Sequence, residues 1–184
     1  MTNEEEALKV ELRPILIADF EVEEEVPGRF LLDNTHVRID FLLRPRQHLI
    51  DRGVASDWFG LEVKSPLTTD PKKKGLQVAW QALTYAQSQF GDRRPAFVAI
   101  YPPIWEFFPV AKVLNESTSR HYDFSEAHWL KCFLQKANVG SFVVLPKQRG
   151  WRIEFGAGST RMSSYNGPSK ITNVGIRKVV GTWK

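Results

Sequence analysis

Two spacings of apolar residues alternate along the first half of the chain, and each spacing predicts a different element. Apolar residues at helical spacing, as in Leu8, Leu12 and Leu16, predict a helix, whereas alternation or a short apolar run predicts a strand. The predicted order is a helix over Glu4–Asp19, strands over Phe20–Val26, Phe30–Leu32, Val37–Leu43 and Trp58–Lys64, a helix over Leu76–Phe90, and a buried strand over Pro95–Tyr101. Pro27-Gly28 and Asp33-Asn34 are turn signals between the early strands.

The second predicted helix follows a loop over Leu67–Gly75 and carries an apolar stripe of Leu76, Trp80, Leu83 and Phe90. Residues 44–57 are polar and are predicted to form a loop. Further along, the pattern predicts a helix over Ser125–Ala137, with Ser125 as its N-cap and Gly140 near its end, and strands over Ser141–Leu145, Trp151–Phe155 and Ile176–Val180. The expected fold is therefore a single mixed α/β domain over residues 1–184.

Charge is distributed unevenly along the chain. Residues 1–30 hold nine acidic and three basic side chains, a net charge of −6, whereas residues 147–184 hold eight basic and one acidic, a net charge of +7. Three consecutive lysines, Lys72–Lys74, add a basic segment in the middle. Such basic regions can contact a polyanion, although a charged surface with no such partner would have the same composition.

Several protein classes are excluded or disfavoured by simple signals. The single Cys132 excludes an internal disulfide framework, a zinc ribbon and an iron–sulfur cluster. The acidic N-terminus is unlike a signal peptide, and no apolar stretch is long enough to span a bilayer, so we expect a cytoplasmic protein without a membrane partner. The four histidines have no metal-ligand spacing, and no phosphate-binding loop is present.

Three polar residues lie in or at the end of predicted strands that are otherwise apolar. Asp40 stands in the middle of one strand, where an unpaired carboxylate would be costly. Glu62 and Lys64 are two residues apart, so they project together while Val63 points into apolar packing. If the two strands are neighbours, Asp40 and Glu62 can converge on one Mg²⁺, which prefers oxygen ligands. The structural alternative pairs Asp40 with Arg38, and Glu62 with Lys64 at the surface.

The spacing of these residues resembles a known signature. Asp40, followed after 21 residues by Glu62-Val63-Lys64, is similar to the active-site motif of the PD-(D/E)XK nuclease superfamily. Gln81 and Tyr85 in the following helix resemble the Gln-X-X-X-Tyr motif of its RecB-like and lambda-exonuclease-like branches. The resemblance covers about residues 5–101, which would form the core of the domain, and it leaves residues 102–184 as a C-terminal α+β extension of unclear role. Ile39 replaces the proline of the motif, and the cysteine cluster of the iron–sulfur RecB-like enzymes is missing.

The resemblance implies a restriction-endonuclease-like core of helix, mixed central sheet, helix and strand, and a deoxyribonuclease that uses Mg²⁺, with Mn²⁺ expected to substitute. Asp40 and Glu62 would bind the metal, helped by the Val63 carbonyl. Lys64 would position or deprotonate the attacking water, and Gln81 and Tyr85 would complete the catalytic set. A further acidic ligand is expected on the first helix. Glu11 is the candidate, with Glu6 and Glu24 as competitors.

The expected partner is DNA. Lys72, Lys73 and Lys74 would bind phosphates beside the site, and the C-terminal strands mix cations with aromatic residues in a way that suits DNA contact. The candidates on those strands are Arg149 and Arg152, together with Trp151, Arg161 and Tyr165. Two alternatives stay open, a Holliday-junction-type resolvase and a non-catalytic DNA-binding or assembly protein of the same fold. A short chain that cuts both strands could also act as a homodimer.

Overall fold

A computed structural model describes residues 3–108, 126–145, 150–156 and 159–164 of the chain. These residues form four helices, eight strands and a 3₁₀ turn over Ile104–Phe107. The helices are α1 (Asn3–Asp19), α2 (Gln47–Ile50), α3 (Pro71–Ala86) and α4 (Glu126–Lys136). The strands are β1 (Phe20–Phe30), β2 (His36–Pro45), β3 (Phe59–Val63), β4 (Ser88–Gln89), β5 (Val98–Tyr101), β6 (Val139–Leu145), β7 (Gly150–Phe155) and β8 (Ser159–Ser163).

All eight strands belong to one mixed sheet in the order β4-β1-β2-β3-β5-β6-β7-β8. The pairs β1–β2 and β2–β3 are antiparallel, β3–β5 and β5–β6 are parallel, and β6–β7 and β7–β8 are antiparallel. The α/β class expected from the sequence is confirmed. Strands β6 to β8 continue the same sheet beside β5, so the described C-terminal elements extend the sheet of the first half.

Apolar residues cover both faces of the sheet. On one face Leu12 and Leu16 of α1 pack with Phe41, Phe59 and other buried side chains. On the opposite face, a second apolar cluster consists of buried residues of α3, of the central strands and of α4. The strand β5 lies between β3 and β6 and is almost wholly buried, as its short apolar run predicts. The central strands are therefore held rigidly from both sides.

The turn predicted at Pro27-Gly28 is wrong, because β1 runs through both residues to Phe30. Pro27 pairs with Arg38 and Gly28 with Val37 of β2, whereas β4 reaches β1 only at Arg29 and Phe30. Pro27 thus lies where β1 has no strand on its other side, so its missing N–H leaves no ladder bond unmade. The chain reverses instead over residues 31–35, where Asn34 has a φ of 64°, in agreement with the second turn signal.

The helix after β3 differs from its prediction in both position and buried face. It begins at Pro71 because the Asp70 side chain accepts a hydrogen bond from the Lys73 N–H as an N-cap, and it ends at Ala86, before Phe90. Leu76 and Trp80 of the predicted apolar stripe are exposed. The buried face of α3 consists of Gly75, Val78, Ala79, Ala82 and Tyr85.

The closest contact of that face is made at Gly75, because α3 packs closely there against the chain after β5. A Cβ added to Gly75 would lie 2.7 Å from the Phe107 Cβ and 2.9 Å from the Phe108 Cε2. A helix that approaches this closely cannot bury large side chains at the contact. The apolar-stripe rule therefore identified the helix but selected the wrong side of it.

Other boundaries shift by smaller amounts. Residues 47–50 form a short helix within the predicted loop, and β8 was not predicted. Gly140 lies in β6, and Asn138 with a φ of 58° follows α4 instead. The predicted strand over Ile176–Val180 and the N-cap Ser125 lie outside the described residues. Within the described residues, no helix is both long and apolar enough to cross a bilayer.

Candidate active site

Asp40 and Glu62 lie opposite each other on neighbouring antiparallel strands. The pairing of β2 with β3 runs from Leu43↔Phe59 to Phe41↔Leu61, and one further step of the same register aligns Asp40 with Glu62. Both residues are buried, with exposed fractions of 8% and 1%. The sequence predicted that these two acids would converge, and the structure brings them together.

Both carboxylate oxygens of Asp40 have a donor. Oδ2 accepts a hydrogen bond of 2.7 Å from the backbone N–H of Val63, which ties β2 to β3 beyond their last ladder pair. Oδ1 lies 2.6 Å from the ammonium nitrogen of Lys9, a residue of α1 with an exposed fraction of 2%. The carboxylate is thus fixed in orientation from two sides.

Glu62 has a less complete set of partners. Its Oε1 lies 3.1 Å from the Lys64 ammonium, but Oε2 is buried without a hydrogen-bond partner in the described part of the chain. Burial and, after it, the negative charge of Asp40 raise the pKa of Glu62 to about 8, although Lys64 acts in the opposite direction. A charged Glu62 beside Asp40 therefore calls for a cation.

Lys64 follows Glu62 at the end of β3 and faces the same side, as predicted. Burial alone would lower the pKa of Lys64, but the negative charges of Glu62 and Asp40 outweigh it and hold this pKa above its usual value. Its ammonium also lies 3.8 Å from Glu5, a buried acid of α1, and Glu5 is 3.3 Å from the ammonium of Lys74. Lys64 therefore carries a positive charge at neutral pH.

These contacts form a chain of alternating charges with one exception. From one end the order is Arg38, Glu25, Lys9, Asp40, Glu62, Lys64, Glu5 and Lys74. When every group is ionised, each neighbour in this order has the opposite sign except Asp40 and Glu62. The junction between these two acids is the point in the chain where an added cation would relieve repulsion.

Helix α3 closes the site from the other side. Tyr85 is buried, and burial together with the negative charges of Glu62 and Asp40 raises its pKa, so the phenol keeps its proton. Gln81 lies one turn earlier and is half-buried, and Lys74 lies on the same side of the helix. The predicted residues Gln81 and Tyr85 thus share the helix side that carries Lys74, whereas Gln77 is exposed.

Glu11 does not join this cluster. It is exposed and lines an apolar groove with Tyr101 and Trp105, on a different side of α1 from Glu5 and Lys9. Its two competitors, Glu6 and Glu24, both form ion pairs with Arg13. The acid of α1 that reaches the site is Glu5. Glu5 and Lys9 are four residues apart, on the side of the helix that continues into the buried Leu12 and Leu16, and this spacing was a usable signal.

The candidate DNA contacts divide into different environments. Lys72 and Lys73 are exposed in the first turn of α3, whereas Lys74 pairs with Glu5. Arg152 lies 2.6 Å from Glu154 on β7, three strands away from β3.

Trp151 is a core residue rather than a contact surface, because its exposed fraction is 1% and its indole N–H donates to the Asp19 Oδ2 over 2.6 Å. Arg149, the Arg161 side chain and Tyr165 lie outside what the structure describes.

The arrangement fits a hard divalent cation such as Mg²⁺. Two adjacent carboxylates, one with an unpartnered buried oxygen, provide ligands at one point, and Mg²⁺ is commonly held by one or two carboxylates while it keeps several waters. No group of three or more His, Cys, Asp or Glu side chains able to hold a metal occurs among the described residues. Comparisons of the chain with protein-family models, curated proteins and solved structures found no match.

Proposed function

We propose that the protein is a metal-dependent nuclease that hydrolyses DNA phosphodiester bonds, with Asp40 and Glu62 as the ligands of the divalent cation. The observation that carries the proposal is the single like-charge junction between these buried acids, where the Glu62 Oε2 has no hydrogen-bond partner within the described residues. A protein that only binds DNA has no use for two buried carboxylates near its phosphates, since they repel a polyanion unless a cation intervenes.

The arrangement of elements supports the same proposal. Apart from the short elements α2 and β4, the chain forms a helix, three antiparallel strands, a helix and a parallel strand, in the order α1, β1, β2, β3, α3 and β5. This order agrees with the restriction-endonuclease-like core that the sequence resemblance implies. Asp40 on β2, Glu62 and Lys64 at the end of β3, and Gln81 and Tyr85 on α3 also occupy the elements expected for them.

A bound Mg²⁺ or Mn²⁺ would lower the pKa of a coordinated water and bind a phosphate oxygen, which are the two requirements of phosphodiester hydrolysis. Asp40 is held in one orientation by the Val63 N–H and by Lys9, so its carboxylate is preorganised for this role. The Val63 carbonyl stays a predicted additional ligand.

The raised pKa of Lys64 favours a role as a fixed positive charge over a role as a base. Its ammonium would hold the attacking water by hydrogen bonding and offset the charge that develops on the phosphate. Tyr85 keeps its proton and can therefore donate a hydrogen bond toward the same site. Gln81, one turn away on α3, would contact the phosphate from that side.

DNA is the proposed substrate because of the charge around the site. Lys72 and Lys73 are exposed at the start of α3, the helix that closes the site, and can bind phosphates that flank the cleaved bond. The C-terminal basic residues, Arg149 and Arg152 among them, would add affinity further along the strand. Arg152 lies roughly 14 Å from β3, given three strand spacings of about 4.8 Å each.

The decisive experiment incubates the full chain with supercoiled, linear, single-stranded and four-way-junction DNA in Mg²⁺, Mn²⁺ or EDTA. We expect cleavage in both metals and none in EDTA. Asp40→Asn, Glu62→Gln and Lys64→Met should each abolish it. Glu154→Gln is the matched control, since Glu154 is another buried acid of the same sheet, paired with Arg152 and Lys131.

Each other outcome has a defined meaning. Binding of DNA without cleavage of any substrate in either metal would favour the non-catalytic alternative. Cleavage restricted to the four-way junction would identify a resolvase. Cleavage that survives the three site substitutions would refute Asp40, Glu62 and Lys64 as the active site.

A further inference from the structure

Lys9 bridges two acids of the cluster. Its ammonium nitrogen lies 2.6 Å from the Asp40 Oδ1 and 2.5 Å from the Glu25 Oε1, so two carboxylates from two strands meet on one positive charge. Its exposed fraction is only 2%. Divalent cations bind carboxylate oxygens at roughly 2.0–2.6 Å. The ammonium thus pairs with the carboxylate oxygens that a metal ion at this point would need.

From this geometry we propose that Lys9 is a built-in replacement for a second metal, so that the active site takes one divalent cation, between Asp40 and Glu62, and not two. The inference rests on the proposed metal-dependent function and deepens it. Lys9 acts through Asp40 and is a positioning residue.

The surroundings of Lys9 make its displacement by a metal costly. Its ammonium is buried between α1 and the sheet, and an expelled charge would lose both carboxylates at once. The other carboxylate oxygen of Glu25, Oε2, forms an ion pair with Arg38, whose Nε lies 2.9 Å away. The backbone of Glu25 has a left-handed conformation with a φ of 52° inside β1, an arrangement that persists only where the surroundings enforce it.

On the side of Asp40 that faces Glu62, by contrast, none of the described residues places a cation between the two acids. The Glu62 Oε2 has no hydrogen-bond partner within the residues that the structure describes, and Lys64 contacts Oε1 instead. One divalent cation can enter there without expelling a buried charge. The two sides of Asp40 thus have different capacities for metal.

The test is a titration of the full chain with Mn²⁺. Calorimetry measures the number of ions bound, and electron paramagnetic resonance shows whether they are coupled. We expect the wild type to bind one Mn²⁺ per chain with the spectrum of an isolated ion. Lys9→Met removes the charge but keeps the length of the side chain, leaving Asp40 and Glu25 without their shared cation. This variant should bind two Mn²⁺ per chain and give a spin-coupled spectrum.

Two controls separate this role from general stability. Lys9→Arg retains a cation and should still bind one Mn²⁺. Arg13→Met removes a neighbouring cation of α1 that pairs with Glu6 and Glu24 rather than with Asp40, and it should also bind one. If Lys9→Met does not fold, Lys9→Gln keeps a hydrogen-bond donor without the charge and should bind two Mn²⁺, and one Mn²⁺ in that variant would overturn the role of Lys9.

The possible results distinguish the two proposals. Two Mn²⁺ per wild-type chain, with the spin-coupled spectrum, would overturn the role of Lys9 and leave the nuclease proposal intact. One Mn²⁺ in Lys9→Met, as in the wild type, would also overturn it. A wild type that binds no Mn²⁺ in the presence of DNA would instead refute the metal site and the proposed function with it.

Discussion

Asp40 and Glu62 face each other across β2 and β3, and their opposition is the one like-charge contact in a chain of eight alternating charges. Without a cation this arrangement costs stability, because Glu62 is buried beside a second acid. A site of this kind lowers the stability of the metal-free protein but can bind a charged ligand. The loss can be measured as a change in the free energy of unfolding with the metal removed.

We predict that the metal-free protein becomes less stable as the pH rises from about 4.5 to about 8, and that Glu62 is the cause. Burial and Asp40 raise the pKa of Glu62 to about 8, so within this window folded Glu62 keeps a proton that the unfolded chain has lost. The free energy of unfolding therefore falls, by at most about 1.4 kcal/mol per pH unit for one group. Chemical denaturation in EDTA across this window measures the slope.

Glu62→Gln should be more stable than the wild type at the upper end of that window and nearly equal to it at the lower end. The difference between the two proteins isolates Glu62 from all other titrating groups. A constant difference across the window would show that Glu62 does not titrate there.

Added metal should reverse this cost. We predict that Mg²⁺ or Mn²⁺ raises the midpoint of thermal unfolding of the wild type, because a ligand at 100 times its Kd adds about 2.7 kcal/mol to the free energy of unfolding. Asp40→Asn and Glu62→Gln should lose most of this gain, whereas Glu154→Gln should keep it. Equal gains in all four proteins would indicate that the cation binds elsewhere.

The sequence was sufficient for the central part of the site but not for its supporting residues. Asp40, Glu62 and Lys64 were predictable because a charged residue in an apolar strand is costly without a partner, and because residues two apart share a face. The spacing of Glu5 and Lys9 on the buried side of α1 was a usable signal, but their partners were not predictable, since these depend on how α1 lies against the sheet. The same long-range information was needed to see that Glu11 faces an apolar groove.

The fold divides in a similar way. Alternation and apolar runs predicted β2, β3 and β5, whose residues pair with close neighbours in the sequence or are buried on both faces. The turn predicted at Pro27 was wrong because a strand can contain this proline where β4 does not pair with it, and the extent of β4 was not predictable from the local sequence. The prediction that Trp80 and Leu76 are buried was wrong because α3 buries the side that contains Gly75. That side is buried because it packs against Phe107 and Phe108, which lie far along the chain.

We predict that Tyr85→Phe folds normally but cleaves DNA about fivefold more slowly. The phenol keeps its proton because burial and the adjacent acids raise its pKa, so its role is that of a hydrogen-bond donor. A net hydrogen bond is worth about 1 kcal/mol, which corresponds to that factor in rate. The check is single-turnover cleavage, with thermal unfolding measured alongside. An unchanged rate would remove Tyr85 from the catalytic set.

Gly75→Ala should lower the free energy of unfolding, by up to about 2 kcal/mol. The new Cβ would lie 2.7 Å from the Phe107 Cβ, and such overpacking costs about 1–3 kcal/mol, from which the helix-propensity gain of about 1 kcal/mol is subtracted. Since α3 also carries Gln81 and Tyr85, cleavage should fall as well. Gln77→Ala, at an exposed position of the same helix, is the control and should change neither quantity. Urea denaturation and cleavage rates test both expectations.

Lys72 and Lys73 offer a prediction about substrate binding that is independent of the chemistry. Both are exposed at the start of α3, next to the site but outside the acid cluster. If each contacts one phosphate of duplex DNA, the double variant Lys72→Ala/Lys73→Ala should weaken binding equally for all sequences. It should also reduce the slope of log K against log salt by about 1.8, that is about 0.9 per contact. Fluorescence anisotropy over a salt series in Ca²⁺ or EDTA measures this without cleavage. An unchanged slope with the same affinity would mean that DNA enters the site from another side, and the basic C-terminal segment would then be the next surface to test.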